Sequence, residues 1–230
     1  MKYDFPSITN LDEVRDVVKD LPEFIIAERD WGYAVNYLVS GPDTFPSVHT
    51  AGGSAAMRDA ATRAKAIRRE CRGLLFYPDG RIMSRRLHKF FNVNERDETQ
   101  MHRIDLGQPH VILEKLDGSM ITPVVMSRVE DERFLRHAAY TGPTITRVGD
   151  MRWGTKMGAG TDVAMAAEVF VAENSKYQKF AERCISQDIT PIFEYTAPGQ
   201  HKIVVDYDKT MLTLLAARHM ISGEYIDLIL

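Results

Sequence analysis

The sequence predicts an α+β fold, mainly antiparallel sheets with flanking helices. Two observations carry that expectation. Short apolar runs recur along the chain, many of them joined by tight turns, and only two or three helical segments lie among them. A third sets the scale: 230 residues with 44% hydrophobic content are enough to bury a substantial core. No repeat, low-complexity tract or convincing linker is visible, so one domain over residues 1–230 is the better reading.

The elements follow in order. A helix is predicted from about Leu11 to Leu21, with Asn10 as N-cap and Glu13 completing a capping box. Leu11, Val14, Val17, Val18 and Leu21 recur at helical spacing. Strands are expected at Phe24–Glu28 and Tyr33–Leu38. The stretch Gly41–Gly53 reads as a loop, and Ser54–Glu70 as an Ala- and Arg-rich helix. Gly73–Tyr77, the turn Pro78-Asp79-Gly80 and Arg81–Arg85 form an expected hairpin. Val111–Glu114 and Met120–Met126 flank Lys115–Ser119. Further strands are expected near Phe134–Ala138 and Thr144–Val148, then a helix over about Thr161–Cys184. The end returns to strands at Pro191–Thr196, Lys202–Tyr207, Met211–Arg218 and Tyr225–Leu230.

Composition excludes several classes. With 29 basic and 32 acidic residues the formal net charge is −3. Disorder does not fit that apolar content, and neither does coating nucleic acid by bulk charge, although a local basic groove would. Cys71 and Cys184 make no disulfide framework and no CxxC metal signature, which fits a reducing compartment. The longest apolar stretch, Met211–Ala217, falls far short of the ~20 residues that span a bilayer. The start, MKYDFPSITN, lacks the apolar core of a secretion signal. A cytoplasmic protein without membrane contact is expected.

The sharpest motif is Lys115-Leu116-Asp117-Gly118-Ser119, placed where one strand ends and another begins. It holds an amine at a tight turn near the mouth of a sheet. Lys-x-Asp-Gly arises by chance in about one chain of this length in 20. On the motif alone, a solvated turn lysine is an equal reading. Three further blocks surround it. Glu70-Cys71-Arg72-Gly73-Leu74-Leu75-Phe76 precedes Ser84-Arg85-Arg86-Leu87-His88-Lys89-Phe90-Phe91-Asn92. Phe193-Glu194-Tyr195-Thr196-Ala197-Pro198 comes later, followed by His201-Lys202-Ile203-Val204-Val205.

In this order the blocks resemble the nucleotidyltransferase domain of the phage T4 RNA ligase 1 family, over nearly the whole chain. The resemblance implies a covalent nucleotidyltransferase fold, the RNA ligase adenylation domain. It implies an ATP- and magnesium-dependent RNA ligase that seals 5′-phosphate and 3′-hydroxyl RNA ends in RNA or tRNA repair. In that chemistry a lysine attacks the α-phosphate of ATP and a lysyl-AMP forms, which splits one hard transfer into easier steps. A free lysine titrates near ~10.4 and must be neutral to attack, so neighbouring cations or a divalent metal have to favour its neutral form.

The residues carry over one at a time. Lys115 would be the nucleophile; Glu114, Asp117 and Gly118 would frame it and the nucleotide. Arg72 resembles the arginine that contacts the nucleotide, for which its fork of donors is suited. Lys89 resembles the lysine on the outgoing phosphates and Phe91 the aromatic beside it, although adjacent Phe90 and Phe91 usually place one ring in a core. Lys156, in Gly154-Thr155-Lys156-Met157-Gly158, resembles a Thr/Ser-Lys-Gly element, with Met157 where the family has glycine. A solvated turn lysine is nearly as good a reading there. Glu194 resembles the glutamate that holds the ribose or a metal, directly or through water. Between Phe193 and Tyr195 on a strand it faces away from both. Lys202 stands where relatives often carry arginine.

One departure matters. The family's Glu-Gly-[Tyr/Val]-Val and Lys-x-Lys blocks do not occur in residues 1–230, so the fold is expected to be incomplete at the C-terminus. Three readings stay open: an N-terminal portion of a split ligase whose missing blocks lie on a second polypeptide, a truncated ligase of little activity, or a non-catalytic RNA- or nucleotide-binding module. A DNA ligase or GTP-dependent capping enzyme is the enzymatic alternative, since both use Lys-x-Asp-Gly. Weaker signals are the cations of the Ser54–Glu70 helix (Arg58, Arg63, Lys65, Arg68, Arg69), which read more readily as a solvated face than an RNA contact, and the run Arg85-Arg86-Leu87-His88-Lys89-Phe90-Phe91, which mixes charge and rings as single-strand binders do.

Overall fold

The computed structural model describes residues 4–41, 43–48, 59–126, 151–199 and 204–228. It is α+β, with two antiparallel sheets and four α-helices among the described residues. Helix α1 (Leu11–Val18) starts on the expected capping box: the Asn10 side chain accepts from the Asp12 and Glu13 amides, and the Glu13 carboxylate accepts from the Asn10 amide. Leu11, Val14 and Val18 form its buried stripe. Strands β1 (Phe24–Arg29) and β2 (Gly32–Tyr37) pair as a hairpin. Helix α2 (Ala60–Glu70), capped by Asp59, runs into β3 (Arg72–Phe76), which turns at Pro78-Asp79-Gly80 into β4 (Ile82–Ser84). These strands make a sheet in the order β1-β2-β3-β4.

The second sheet has the order β7-β6-β5-β8-β9, from β5 (Ser119–Val125), β6 (Met151–Thr155), β7 (Gly158–Ala159), β8 (Ile189–Thr196) and β9 (Met211–His219). Helices α3 (Asp162–Glu173) and α4 (Ser175–Ile185) cover it. One core packs α1 and α2 on the first sheet through Leu11, Val14, Ile67, Leu74 and Phe76. Another sets Trp153, Ala167, Val171 and Ala181 against Ile121 and Phe193. A third joins the two sheets: Ala34, Leu75 and Met83 meet Val124, Val125 and Met220.

Several expectations need correction. Val111–Glu114 forms no strand; these β-branched and apolar residues are exposed and lie in no ladder among the described residues. The Thr161–Cys184 helix is two helices, because Asn174 adopts φ −128° and ψ 69° and its side-chain amide bonds the Phe170 carbonyl at 2.8 Å. Residues 204–207 and Tyr225 belong to no strand, apart from one bridge between Tyr225 and Arg218. Strands β6 and β7 went unread, their pattern being short and interrupted by glycine. The expected strands at Phe134–Ala138 and Thr144–Val148 lie outside the described residues, as do 49–58 of the expected loop and helix.

The arginines of Arg85-Arg86 are not a basic face. Arg85 is 0% and Arg86 2% exposed. Arg85 donates to Glu70 Oε2 at 3.1 Å and to the Pro6 and Ile221 carbonyls at 2.8 and 2.7 Å. Arg218 donates to both Glu70 oxygens, at 3.0 and 3.1 Å, and to the Gly223 carbonyl at 2.8 Å. Burial by itself would raise the Glu70 carboxyl, but Arg218 and Arg85 more than reverse this and hold it down at about 2. Arg86 spans the two sheets, donating to Thr122 Oγ1 at 2.8 Å and to the Gly73 carbonyl at 3.1 Å. Helix α2 likewise commits Arg63 to Glu13 and Arg69 to Glu98; Arg58 lies outside the described residues. Cys71 and Cys184 are free thiols. Among the described residues no helix is long and apolar enough to cross a membrane.

Candidate active site

The Lys115–Ser119 turn delivers the chain into β5, which pairs with β8 so that Met120 lies opposite Glu194 and Ser119 opposite Tyr195. The amide of Gly118 donates to Glu194 Oε1 at 3.1 Å. A side chain at Gly118 would collide with the Tyr195 carbonyl oxygen and come within 2.8 Å of Thr196 Cγ2, so the glycine is there because β8 passes so close. The amide of Asp117 donates to Tyr207 Oη at 2.8 Å. In return Asp117 Oδ2 accepts the amides of Val204 and Val205, at 2.6 and 2.9 Å. The turn is therefore not a free Asp-Gly turn; side chains and amides far along the chain fix it. Lys115 and Glu114, just ahead of it, are exposed.

Glu194 behaves as strand alternation requires. Phe193 and Tyr195 are buried, and Glu194 faces the other way, onto the turn. Burial raises its carboxyl above the ordinary value; the Gly118 hydrogen bond and the charges of Lys115 and Arg72 pull it back without overcoming that. Glu194, Lys115 and Arg72 thus share one electrostatic neighbourhood. Arg72 opens β3, with its guanidinium 5.3 Å over the Phe90 ring. Among the described residues its Nη1 is buried without a hydrogen-bond partner. Gly73 beside it has φ +80°, and a Cβ there would lie 2.9 Å from Arg86 Nη1 and 3.1 Å from Lys156 Cα. The second glycine-dependent approach brings the Lys156 backbone against β3.

Lys89 and Lys156 come together on one ring. The Lys89 amine is 5.9 Å and the Lys156 amine 5.8 Å from the centre of Tyr37. Lys89 also lies 4.6 Å over Phe91 and 3.9 Å from Glu95 Oε1. Phe91 is partly buried against Phe45 and the first core, with Arg69 and Arg96 over its ring, so it serves as a wall for cations. Lys156 occupies the β6–β7 turn, exposed, and its carbonyl accepts from Asn36 Nδ2 at 3.2 Å. Lys202 lies outside the described residues. Two groups escaped sequence reading, Tyr37 and Tyr207. The alternation of β2 marks Tyr37 only as a strand end, and nothing local marks Tyr207.

Chemically, the assembled groups suit a phosphorylated ligand: an unsatisfied guanidinium donor, two amines on an aromatic wall, an exposed lysine and one carboxylate. They suit a metal less directly. Among the described residues no three His, Cys, Asp or Glu side chains gather, and Asp117 Oδ2 already accepts two amides, so Glu194 is the carboxylate at hand. An oxygen-seeking cation here would draw most of its ligands from phosphate and water.

The sequence model of an RNA ligase family matches residues 70–228, well over half the chain and inclusive of every residue just described except Asn36, Tyr37, Phe45 and Arg69. A Thermovibrio ammonificans protein named "Putative RNA ligase" is 32% identical over 162 residues, covering 70% of this chain and 36% of that protein. The chain spans little more than a third of that relative's length.

Proposed function

The chain belongs to the T4 RNA ligase 1 family, and from that premise we propose that it carries the adenylylation site of an ATP-dependent RNA ligase. The observation that supports this most is the Gly118–Glu194 hydrogen bond, which sets the Lys115 turn beside a carboxylate that feels the charges of Lys115 and Arg72. The reading includes the fold: residues 1–230 form one RNA ligase nucleotidyltransferase domain in its N-terminal portion. The Glu-Gly-[Tyr/Val]-Val and Lys-x-Lys blocks would come from further polypeptide, in the same chain or a second one. The working place is the cytoplasm and the substrates are RNA ends.

In this scheme the neutral Lys115 amine attacks the α-phosphorus of ATP. An N–P bond forms, the bond to the bridging oxygen breaks, and pyrophosphate leaves with the electron pair. Arg72 offers its unsatisfied Nη1 to the nucleotide, and Lys89 and Lys156, with Lys202, receive the outgoing phosphates. Glu194 holds the ribose or a metal-bound water. Magnesium, when bound, neutralises phosphate charge. AMP then passes from Lys115 to the RNA 5′-phosphate, freeing the amine, and the 3′-hydroxyl displaces AMP to form the new phosphodiester.

Incubation with α-labelled ATP and magnesium tests this, with the missing blocks supplied in parallel. A covalent label is expected on the parent and none on Lys115→Ala. A label surviving in Lys115→Ala sinks the nucleophile assignment, and GTP outcompeting ATP would point to capping chemistry instead.

A further inference from the structure

We infer that Tyr207 is a positioning residue for the Lys115 amine, acting through the Asp117 backbone; the inference rests on the reading of Lys115 as nucleophile. Among the described residues, no backbone–backbone hydrogen bond outside the regular elements involves positions 115–118. Bonds from elsewhere in the chain set the turn's direction, and among the described residues three groups take part in them. Glu194 takes the Gly118 amide at 3.1 Å, Tyr207 takes the Asp117 amide at 2.8 Å, and Asp117 Oδ2 takes the amides of Val204 and Val205.

The last two close a ring. Val204 and Val205 lie three and two positions before Tyr207. The Asp117 carboxylate pins the segment that carries the tyrosine, and the tyrosine hydroxyl pins the Asp117 amide. A phenol oxygen can accept that N–H and still donate its own proton. Glu194 holds one amide of the turn, that of Gly118. With Tyr207 added, two consecutive amides, two and three residues beyond Lys115, are held from two different directions. The base of the lysine side chain is then fixed before any ligand arrives. In-line attack on phosphorus needs that, since a displacement of about 1 Å can cost on the order of a hundredfold in rate.

This role differs from a structural one in what it moves. Tyr207 lies outside the strands, in the connection from β8 to β9, and is half-buried. Its ring survives in Tyr207→Phe and only the acceptor oxygen is lost. In the full chain, with the missing blocks supplied as in the labelling assay, Tyr207→Phe should melt close to the parent. Its AMP-labelling rate at saturating ATP should fall about tenfold, as loss of one directed hydrogen bond predicts. The ATP concentration for half-maximal rate should move by less than about twofold, because ground-state binding is untouched. Hydrogen exchange adds a readout independent of activity: the Asp117 amide should exchange about tenfold faster while the Gly118 amide, still held by Glu194, does not change.

The outcomes separate. Parent-like exchange at Asp117, or a parent-like labelling rate in Tyr207→Phe while Lys115→Ala is dead, removes Tyr207 from the machinery and leaves the ligase reading standing. Labelling that persists in Lys115→Ala overturns both.

Discussion

Two glutamates, Glu70 and Glu194, divide this molecule. Both lose solvent on folding, and burial alone pushes both carboxyls upward. Glu70 lies between Arg85 and Arg218, all three side chains at 0% exposure, and its carboxyl falls to about 2. Glu194 meets one backbone amide and two cations it does not bond, and its carboxyl stays raised. Glu70 has its counter-charges built in. Glu194 has its burial only partly compensated, and Arg72 nearby keeps a donor unsatisfied. The contrast teaches where to look: fully paired buried charge holds a fold, while partly paired charge beside an exposed lysine marks a candidate site.

The comparison can be broken first at its strong end. Glu70→Ala leaves two buried guanidinium groups without their carboxylate, and the loss should be about 3–5 kcal/mol in urea unfolding. A loss under about 1 kcal/mol would mean that Glu70 does not hold the fold. Next, Gly118→Ala forces a methyl against the Tyr195 carbonyl, so β5 and β8 must part locally. About 1–3 kcal/mol of stability should go, with labelling reduced more steeply than stability alone explains.

The smallest effect is the most discriminating. The Glu70 carboxyl is lowered in the folded state, so its stabilisation is full above the ordinary value of 4.5 and is lost as pH falls toward about 2. Glu194 is raised, so its sign reverses: the ionised side chain costs stability once pH climbs past the ordinary range. Measured from pH 2 to 8, Glu70→Gln should fall progressively below the parent as pH rises. Glu194→Gln should match or slightly exceed the parent at neutral pH while its labelling drops. Parallel curves for the two variants would erase the distinction.

Legibility in the sequence followed the range of the interaction. The Asn10–Glu13 capping box, the Pro78-Asp79-Gly80 hairpin and the inward-outward alternation at Glu194 are decided within a few residues, and each was readable. Arg85 and Arg86 looked like a basic patch because the carboxylate and sheet that claim them are distant in sequence; Glu70 and Arg218 are separated by 148 positions. Val111-Ile112-Leu113 has strand chemistry, but strand chemistry without a partner strand makes no ladder. The apolar spacing of α3 and α4 runs straight through Asn174, so periodicity alone could not show the break there. Block order nominates the candidate site residues, but the contacts of Tyr207 with the turn and of the Tyr37 ring with two lysines join distant parts of the chain and leave no local signal.

The tie between Asp117 and Tyr207 also has a place in time. They are 90 positions apart, and a ribosome that adds about 5–20 residues per second makes the second about 5–18 s after the first. Through most of that interval a nascent chain displays the whole Lys115–Ser119 sequence before Glu194, the earliest of these partners, has been made. The lysine is synthesised early and aimed late, so a growing chain bears the complete motif well before it can bear the geometry.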